Sequence, residues 1–585
     1  MKVVVFAPHA GIWIHAFPEA LIVDAVRTAG AEIVYVTCGG ALSSYCSTMG
    51  AHGLTPDSPL EDKQAACARC RSSRDRIRAG FGFPSYDFET MLDASDRHRV
   101  EVLLGRAQPD TLWSFEVDGI RIGRIALYEF LIERKKLQFE LTAEEWRVFR
   151  PRLANTLRSF IAAGRILERE RPSRVLVYNS LYSVNGVWRA LADQRGIASY
   201  FVHGGYSLSN RLQSVVVGRG STMDYGYRMV AAWPSYRDVA CRREQLAKVT
   251  DHFLQLFRGT SVLAYSAPKA LETIDVRRRF GIRADQKLLV VTMSSYDEYV
   301  AAFAVDGVPD PSTLPFPTQI EWIRALLEWV RTRPDRFLLI RVHPREFPNK
   351  REGRKSEHAI ALERELSALP GNARVNWPSD RLSLYDVAEQ ADVFLNAWST
   401  AGREMTLFGF PVVCYCPDAL LYPADLNYVG RTREEYFSAI EDALRDGWSF
   451  ERIRMAYRWC VLEFQRGHFD IGDGFDYVED PPRTLEQRVR RLVLAAPAIR
   501  HRRDLWRRPR VLKEQRRIGD LIVSGATTGL DVPTNTSTYD GGEAAETAAL
   551  RVEVRRLMRA LYQGADSQRP PTPGSLRQRL NSVTT

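Results

Sequence analysis

Three strand-like runs in the second half of the chain end in side chains suited to a phosphorylated ligand. "RFLLIRVHPRE" ends on His343 and Glu346, and "KLLVVTMSSYDEY" carries Ser294 and Ser295 after its apolar part. "DVFLNAWSTAGRE" leads into Ser399, Thr400 and Gly402, with Glu404 in the first turn of the helix that follows. Proline cannot donate to a β-ladder, so Pro344 presents the histidine at a strand tip. Hydroxyls and a glycine at a helix start offer N–H groups to an anion, with a dipole worth about 0.3–1 kcal/mol. A charge-assisted hydrogen bond from the imidazole adds about 1.5–3 kcal/mol. A carboxylate at Glu404 suits ribose hydroxyls rather than phosphate. Singly, each feature has an ordinary structural reading as a strand-end residue or a helix cap. Their succession on three strand ends predicts a nucleotide-phosphate pocket.

Such a pocket needs parallel strands whose carboxyl ends line up. The pattern supplies two blocks of them. "KVVVFAP", "EIVYVT", "RVLVYN" and "SYFVH" form the first; "KLLVVTM", "RFLLIRVH", "DVFLN" and "PVVCY" form the second. Between them run segments apolar at helical spacing, such as "FPEALIVDAVRTAG", the stretch 154–168 and "TQIEWIRALLEWVRTR". Buried strands alternating with amphipathic helices predict an α/β protein of two doubly wound domains facing a cleft. The expected boundaries are 1–250 for the first domain and 276–470 for the second, with a polar helical stretch around 236–275 between them. A helical, basic segment follows over 471–520. Residues 521–585, rich in Gly, Thr and Pro, are expected to be mostly disordered apart from one helix in "AALRVEVRRLMRALYQ".

A chain of 585 residues exceeds one ordinary core. Its net charge of +10 is concentrated: Arg500 to Arg517 holds nine Lys/Arg against two Asp/Glu. The remainder is close to neutral, which excludes a broad nucleic-acid surface. That run, with Trp506 inside it, predicts peripheral contact with anionic membrane; a solvated charged face is the plainer reading. No apolar run is long enough to span a bilayer, and "MKVVVFAPHAG" reads as a first strand, so a cytoplasmic protein is expected.

Four of the eight cysteines cluster early, Cys38, Cys46, Cys67 and Cys70, the last two as "CARC". In a reducing compartment they admit two readings: a structural zinc (or an iron–sulfur cluster), or four reduced thiols.

"RVHPRE" followed by "SLYDVAEQADVFLNAWSTAGREMTLFGFPVVCY" resembles the capsule-polysaccharide glycosyltransferases of GT-B fold. These include bacterial transferases of Kdo and polysialic acid that carry an HP motif and a Ser/Thr motif. "VVTMSSYDEY" and "VYNSLYSVNGVWRALADQRGIASYFVHGG" are also similar to that group. The resemblance runs with gaps over 1–465 and is strongest over 340–415. It implies a nucleotide-sugar donor whose phosphate meets His343, Ser399 and Thr400, with Glu404 on the nucleotide. It also implies a polysaccharide or lipid-linked acceptor of capsule or lipopolysaccharide type. Catalysis would need no metal, and no acidic metal-binding loop is well placed. The first half departs from the pattern: His203-Gly204-Gly205 stands where relatives often read His-Glu-Arg-Gly, and "EVDG" keeps one acid of two. The base expected first is therefore Asp118, then His15 and Glu19. A sugar-nucleotide epimerase and a CDP-glycerol-type glycerophosphotransferase share the fold, and a polysaccharide-binding module is the non-enzyme alternative.

Overall fold

The computed structural model describes residues 1–259, 261, 265, 267–349, 352–477, 485–494, 496–533 and 542–584. The first lobe is built on a sheet of β1 (Lys2–Phe6), β2 (Glu32–Thr37), β3 (Ser85–Asp87), β4 (Arg174–Tyr178), β5 (Ala198–Gly204) and β6 (Ser214–Arg219). The second holds β7 (Lys287–Thr292), β8 (Arg336–Arg341), β9 (Ala373–Asn376), β10 (Val393–Asn396), β11 (Val412–Cys414) and β12 (Tyr428–Val429). A two-residue strand, β13 (Phe469–Asp470), returns to the first sheet. The orders are β13-β6-β5-β4-β1-β2-β3 and β12-β11-β10-β7-β8-β9. The second sheet is parallel throughout. The first is parallel except for β6 and β13.

Counted from its own first strand, each lobe follows the order 3-2-1-4-5, that of a dinucleotide-binding sheet. The chain is thus a two-lobed, doubly wound α/β protein, as its pattern of buried strands predicts. The switch points lie between β1 and β4 and between β7 and β10. Strand interiors such as Val3–Phe6 and Leu288–Val291 are fully buried, which is why they read as continuous apolar runs. Strands β3, β9, β12 and β13 leave no distinct apolar run in the sequence, whereas β6 (Ser214–Arg219) carries one, "SVVVG", and is not among the strands expected.

The lobes are not the consecutive blocks the sequence suggests. The helix Phe450–Val461 ends in a π-turn, and the chain then crosses back so that β13 pairs with β6. The helix Gln515–Ser524 covers the helix Trp13–Thr28, burying Ile518, Leu521 and Ile522 in the first lobe's core. The basic run is likewise part of that lobe. His501 stacks on Trp13 at 3.7 Å, and Asp504 accepts the Trp13 indole N–H at 2.8 Å.

The tail also departs from expectation. Residues 534–541 lie outside those described, but Gly542–Leu561 is a helix packed on Arg243–Arg258, and Leu576–Thr584 is another. Leu550, Val554, Leu557 and Leu561, within the helix expected over "AALRVEVRRLMRALYQ", form one buried stripe. Buried Glu546 anchors it by accepting from Arg458 Nη2 at 2.6 Å and from the Cys241 N–H at 2.8 Å.

Two cations lock the lobes together beside β8. Lys135, fully buried at the end of the first-lobe helix Ile122–Arg134, donates to the carbonyls of Arg345 and Arg354 and lies 3.2 Å from Glu352. Arg345, 1% exposed, donates to Ser295 Oγ at 2.7 Å and pairs with buried Asp297. Its other nitrogen reaches back to the Ile132 carbonyl at 2.9 Å. Removing one partner of a buried pair leaves the other charge uncompensated. Arg345→Ala is expected to cost about 3–5 kcal/mol in urea unfolding; an unchanged midpoint and slope would show that this seam does not hold the lobes.

Candidate functional site

The carboxyl ends of β7, β8 and β10 enclose a cavity of about 670 Å³ including its mouth. Thr292 and Met293 form one wall, Arg341 to Pro344 another, and Ser399 to Ala401 with Glu404 a third. Of the residues singled out by sequence, His343, Ser399, Thr400 and Glu404 come together here. Gly402 lies behind them: a Cβ there would sit 2.2 Å from Tyr422 Oη and 2.6 Å from Asn396 Nδ2, so the glycine lets the helix Ala401–Leu407 seat on β10.

Ser294, Ser295 and Glu346 do not line the cavity. Ser294 closes a two-way bond with the Gln319 amide and accepts the Trp398 N–H at 3.1 Å. Ser295 belongs to the Arg345–Asp297 cluster. Glu346, 1% exposed, accepts from the Tyr296 N–H at 3.0 Å and from Ser356, with His358 Nδ1 at 3.4 Å. Burial alone would raise its pKa, but His358 and these donors hold it at about 2. Strand-end position was the common sequence signal for all three, and it does not distinguish inward from outward side chains.

His343 differs in charge from the sequence expectation. Burial, outweighing nearby Glu346, lowers its pKa to about 4, so the imidazole is neutral at pH 7. Its Nδ1 accepts the Arg345 N–H at 3.3 Å, which places the remaining proton on Nε2 as a donor. Positive charge comes instead from Arg341, buried and bonded to the Asn376 amide oxygen. Burial lowers its pKa, but only to about 10. Sequence reasoning missed Arg341, although an arginine closing an apolar strand was a visible signal. Glu404 accepts from Tyr385 Oη at 2.8 Å and Thr400 Oγ1 at 3.4 Å, while burial pushes its pKa up.

Across the cleft, the switch point of the first lobe gathers imidazoles. His15 stacks on Tyr178 at 4.5 Å, and Tyr178 stacks on His203 at 6.1 Å. His203 Nδ1 lies 2.9 Å from the Gly204 carbonyl, so Nδ1 carries the proton and Nε2 the lone pair. Burial lowers the pKa of His203 to about 4 and of His15 to about 3, with Arg211 adding to both. Burial, with Arg403 and Arg211 adding to it, also lowers the pKa of His252, whose Nδ1 accepts the Leu208 N–H at 2.9 Å. His252, on the helix Arg243–Arg258, packs against Phe464, so the loop after β5 reaches the second lobe's flank.

Asp118 is not in this cleft. Val117 and Ile120 pair across a tight turn in which Asp118 (φ 50°) and Gly119 (φ 79°) are both left-handed. The Asp118 carbonyl accepts from Gln194, at the end of its helix remote from the strand tips, and its exposed carboxylate pairs with Arg99 at 2.7 Å. Its signal was turn chemistry. Glu19 is 3% exposed with no partner for Oε1 among the described residues, and burial raises its pKa well above the carboxylate range. Burial without a partner for that oxygen favours its neutral form over the carboxylate a base needs.

No protein-family model matches the chain, and no curated protein matches it. Among solved structures it is similar to a putative UDP-N-acetylglucosamine 2-epimerase from Listeria monocytogenes, at 11% identity over 83% of this chain and 99% of that one, with a TM-score of 0.25. It is similar to the spinosyn rhamnosyltransferase SpnG at 12% identity, over 79% and 96%, TM-score 0.23. It is similar to the glycosyltransferase SnogD from Streptomyces nogalater at 11%, over 78% and 94%, TM-score 0.21. The strand order of both sheets and the cavity at the second switch point define a two-lobed, doubly wound α/β protein with a ligand-sized cleft.

The protonation assigned to His343 is open to direct measurement. Its imidazole is expected to titrate near pH 4 by NMR in the ligand-free protein; titration near the ordinary value of about 6.5 would contradict a neutral donor.

Proposed function

We propose that this protein is a glycosyltransferase that moves a sugar from a nucleotide-activated donor to a growing polysaccharide or glycolipid acceptor of capsule or lipopolysaccharide type. The observation that carries the reading is the cavity at the β7/β8/β10 ends, where a neutral N–H donor, two hydroxyls and a buried arginine meet a carboxylate. In this reading Arg341, His343 Nε2–H and the hydroxyls of Ser399 and Thr400 hold the diphosphate or phosphodiester. Their stabilisation grows as charge develops on the leaving nucleotide. Glu404, fixed by Tyr385, takes the ribose. On the facing lobe, His203 Nε2 is the acceptor for the proton of the attacking hydroxyl, with His15 and Tyr178 stacked behind it. This chemistry asks for no metal.

Exposed apolar side chains in and before the basic stretch support transfer to a lipid-linked acceptor over epimerisation, which needs no acceptor. Leu492, Val493, Ile499, Trp506 and Val511 are exposed there. Arg502, Arg507, Arg510, Lys513 and Arg516 belong to the same basic stretch. Apolar anchors among cations suit an anionic lipid surface, each cation contributing about 1 kcal/mol. Among the described residues no helix is long and apolar enough to cross a membrane. Flotation with anionic vesicles is expected to weaken in Trp506→Ala; flotation indifferent to anionic lipid would remove this part of the reading.

A panel of nucleotide sugars read by thermal shift tests the donor. A binder at about 100 times its Kd adds about 2.7 kcal/mol. With the donor found, His343→Ala is expected to lower kcat and kcat/KM together, about tenfold for each 1.4 kcal/mol lost. Glu404→Ala should mainly weaken nucleotide binding. Wild-type turnover by folded His343→Ala would refute the site, and donor conversion without acceptor would favour the epimerase.

A further inference from the structure

A second cavity lies at the carboxyl ends of β1 and β2, and all four early cysteines line it. They arrive from separate places. Cys38 follows β2, Cys46 precedes the helix Ser47–Ala51, and Cys67 and Cys70 stand three residues apart on one face of the helix Leu60–Phe81. All four are free thiols and partly accessible, whereas Cys241, Cys414, Cys416 and Cys460 are buried.

The surroundings are those of sulfur ligands rather than packing cysteines. The Gly11 N–H donates to Cys70 Sγ at 3.2 Å. Backbone N–H groups of Gly40 and Leu42 point at the Cys38 sulfur, and those of Thr48 and Met49 at Cys46. Gly11 itself is constrained, since a Cβ would lie 2.5 Å from Thr48 Cγ2 and 3.2 Å from Cys70 Cβ. The loop leading from β1 into the helix Trp13–Thr28 is therefore pressed directly onto this sulfur.

Tetrahedral zinc with Zn–S near 2.3 Å would draw its sulfurs to about 3.8 Å from one another. Among the described residues no three His, Cys, Asp or Glu side chains are arranged to hold a single metal ion. Instead the four cysteines share the lining of one cavity. Four cysteines on one cavity, with N–H groups directed at the sulfurs, are the residue set that ligates an iron–sulfur cluster.

We propose that Cys38, Cys46, Cys67 and Cys70 ligate an iron–sulfur cluster that pins the β1 and β2 loops to the helix Leu60–Phe81. Each thiol loses its proton as its sulfur displaces a carrier thiolate from an iron of a preassembled cluster; the departing thiolate takes up the proton, and no sulfur changes oxidation state. Arg71 and Arg74 line the same cavity and face the net negative charge that four thiolates bring. The cluster holds the loop ahead of His15, so its role is to fix the first lobe's side of the cleft.

The test is the full-length protein purified without oxygen or chelator. Iron and acid-labile sulfide are expected in equal amounts, with broad visible absorption from sulfur-to-iron charge transfer. Cys46→Ser and Cys70→Ser should each lose most of that absorption while far-UV circular dichroism stays unchanged. The wild-type metal content stands on its own if either variant fails to fold. Stoichiometric zinc without iron would overturn the cluster. Protein that is metal-free and takes up neither iron nor sulfide on anaerobic reconstitution would overturn the site.

Discussion

A guanidinium buried at the seam between the lobes sets the geometry on which the rest depends. Arg345 cannot be left uncompensated in so dry a place, so Asp297 and Ser295 from one strand end must converge on it. The Ile132 carbonyl of the other lobe joins them. The same residue's N–H fixes the His343 ring from behind. Its carbonyl receives the ammonium of Lys135, which arrives from the first lobe. One charge requirement therefore orients a pocket side chain and locks the domains in register. Ser295 belongs to this framework directly, and Ser294 and Glu346 brace the strand ends around it, which explains why all three turn away from the cavity.

The cleft that results has two neutral imidazoles with opposite proton placement. His343 offers Nε2–H on the side where a leaving phosphate would sit; His203 offers a lone pair on the other side. Neither assignment comes from the ring itself. Each is imposed by one backbone group, an N–H for His343 and a carbonyl for His203, and burial keeps both rings neutral. Donor and acceptor functions are thus separated by local backbone geometry, and permanent positive charge is delegated to Arg341.

Much of this architecture was legible because parallel strands buried on both faces leave continuous apolar runs. Leu288–Val291 and Leu338–Ile340 are such runs, and both are fully buried. His343, Ser399, Thr400 and Glu404 were legible because strand runs of this kind end beside them. What could not be read was side-chain direction at a strand tip, decided by tertiary partners. Asp118 misled because Asp-Gly before an apolar residue is a turn signal as much as an acid motif. The return of the chain to the first lobe rests on a two-residue strand and on helices whose apolar stripes gave no indication of what they would cover.

The central claim is that the switch point of the second lobe binds a nucleotide through its phosphates. The most direct measurement is a crystal structure with the nucleoside diphosphate of whichever donor binds. The expected density places the phosphates against His343 Nε2, Ser399 and Thr400, with the ribose at Glu404. A nucleotide seated elsewhere, with His343 making no contact to it, would contradict the account.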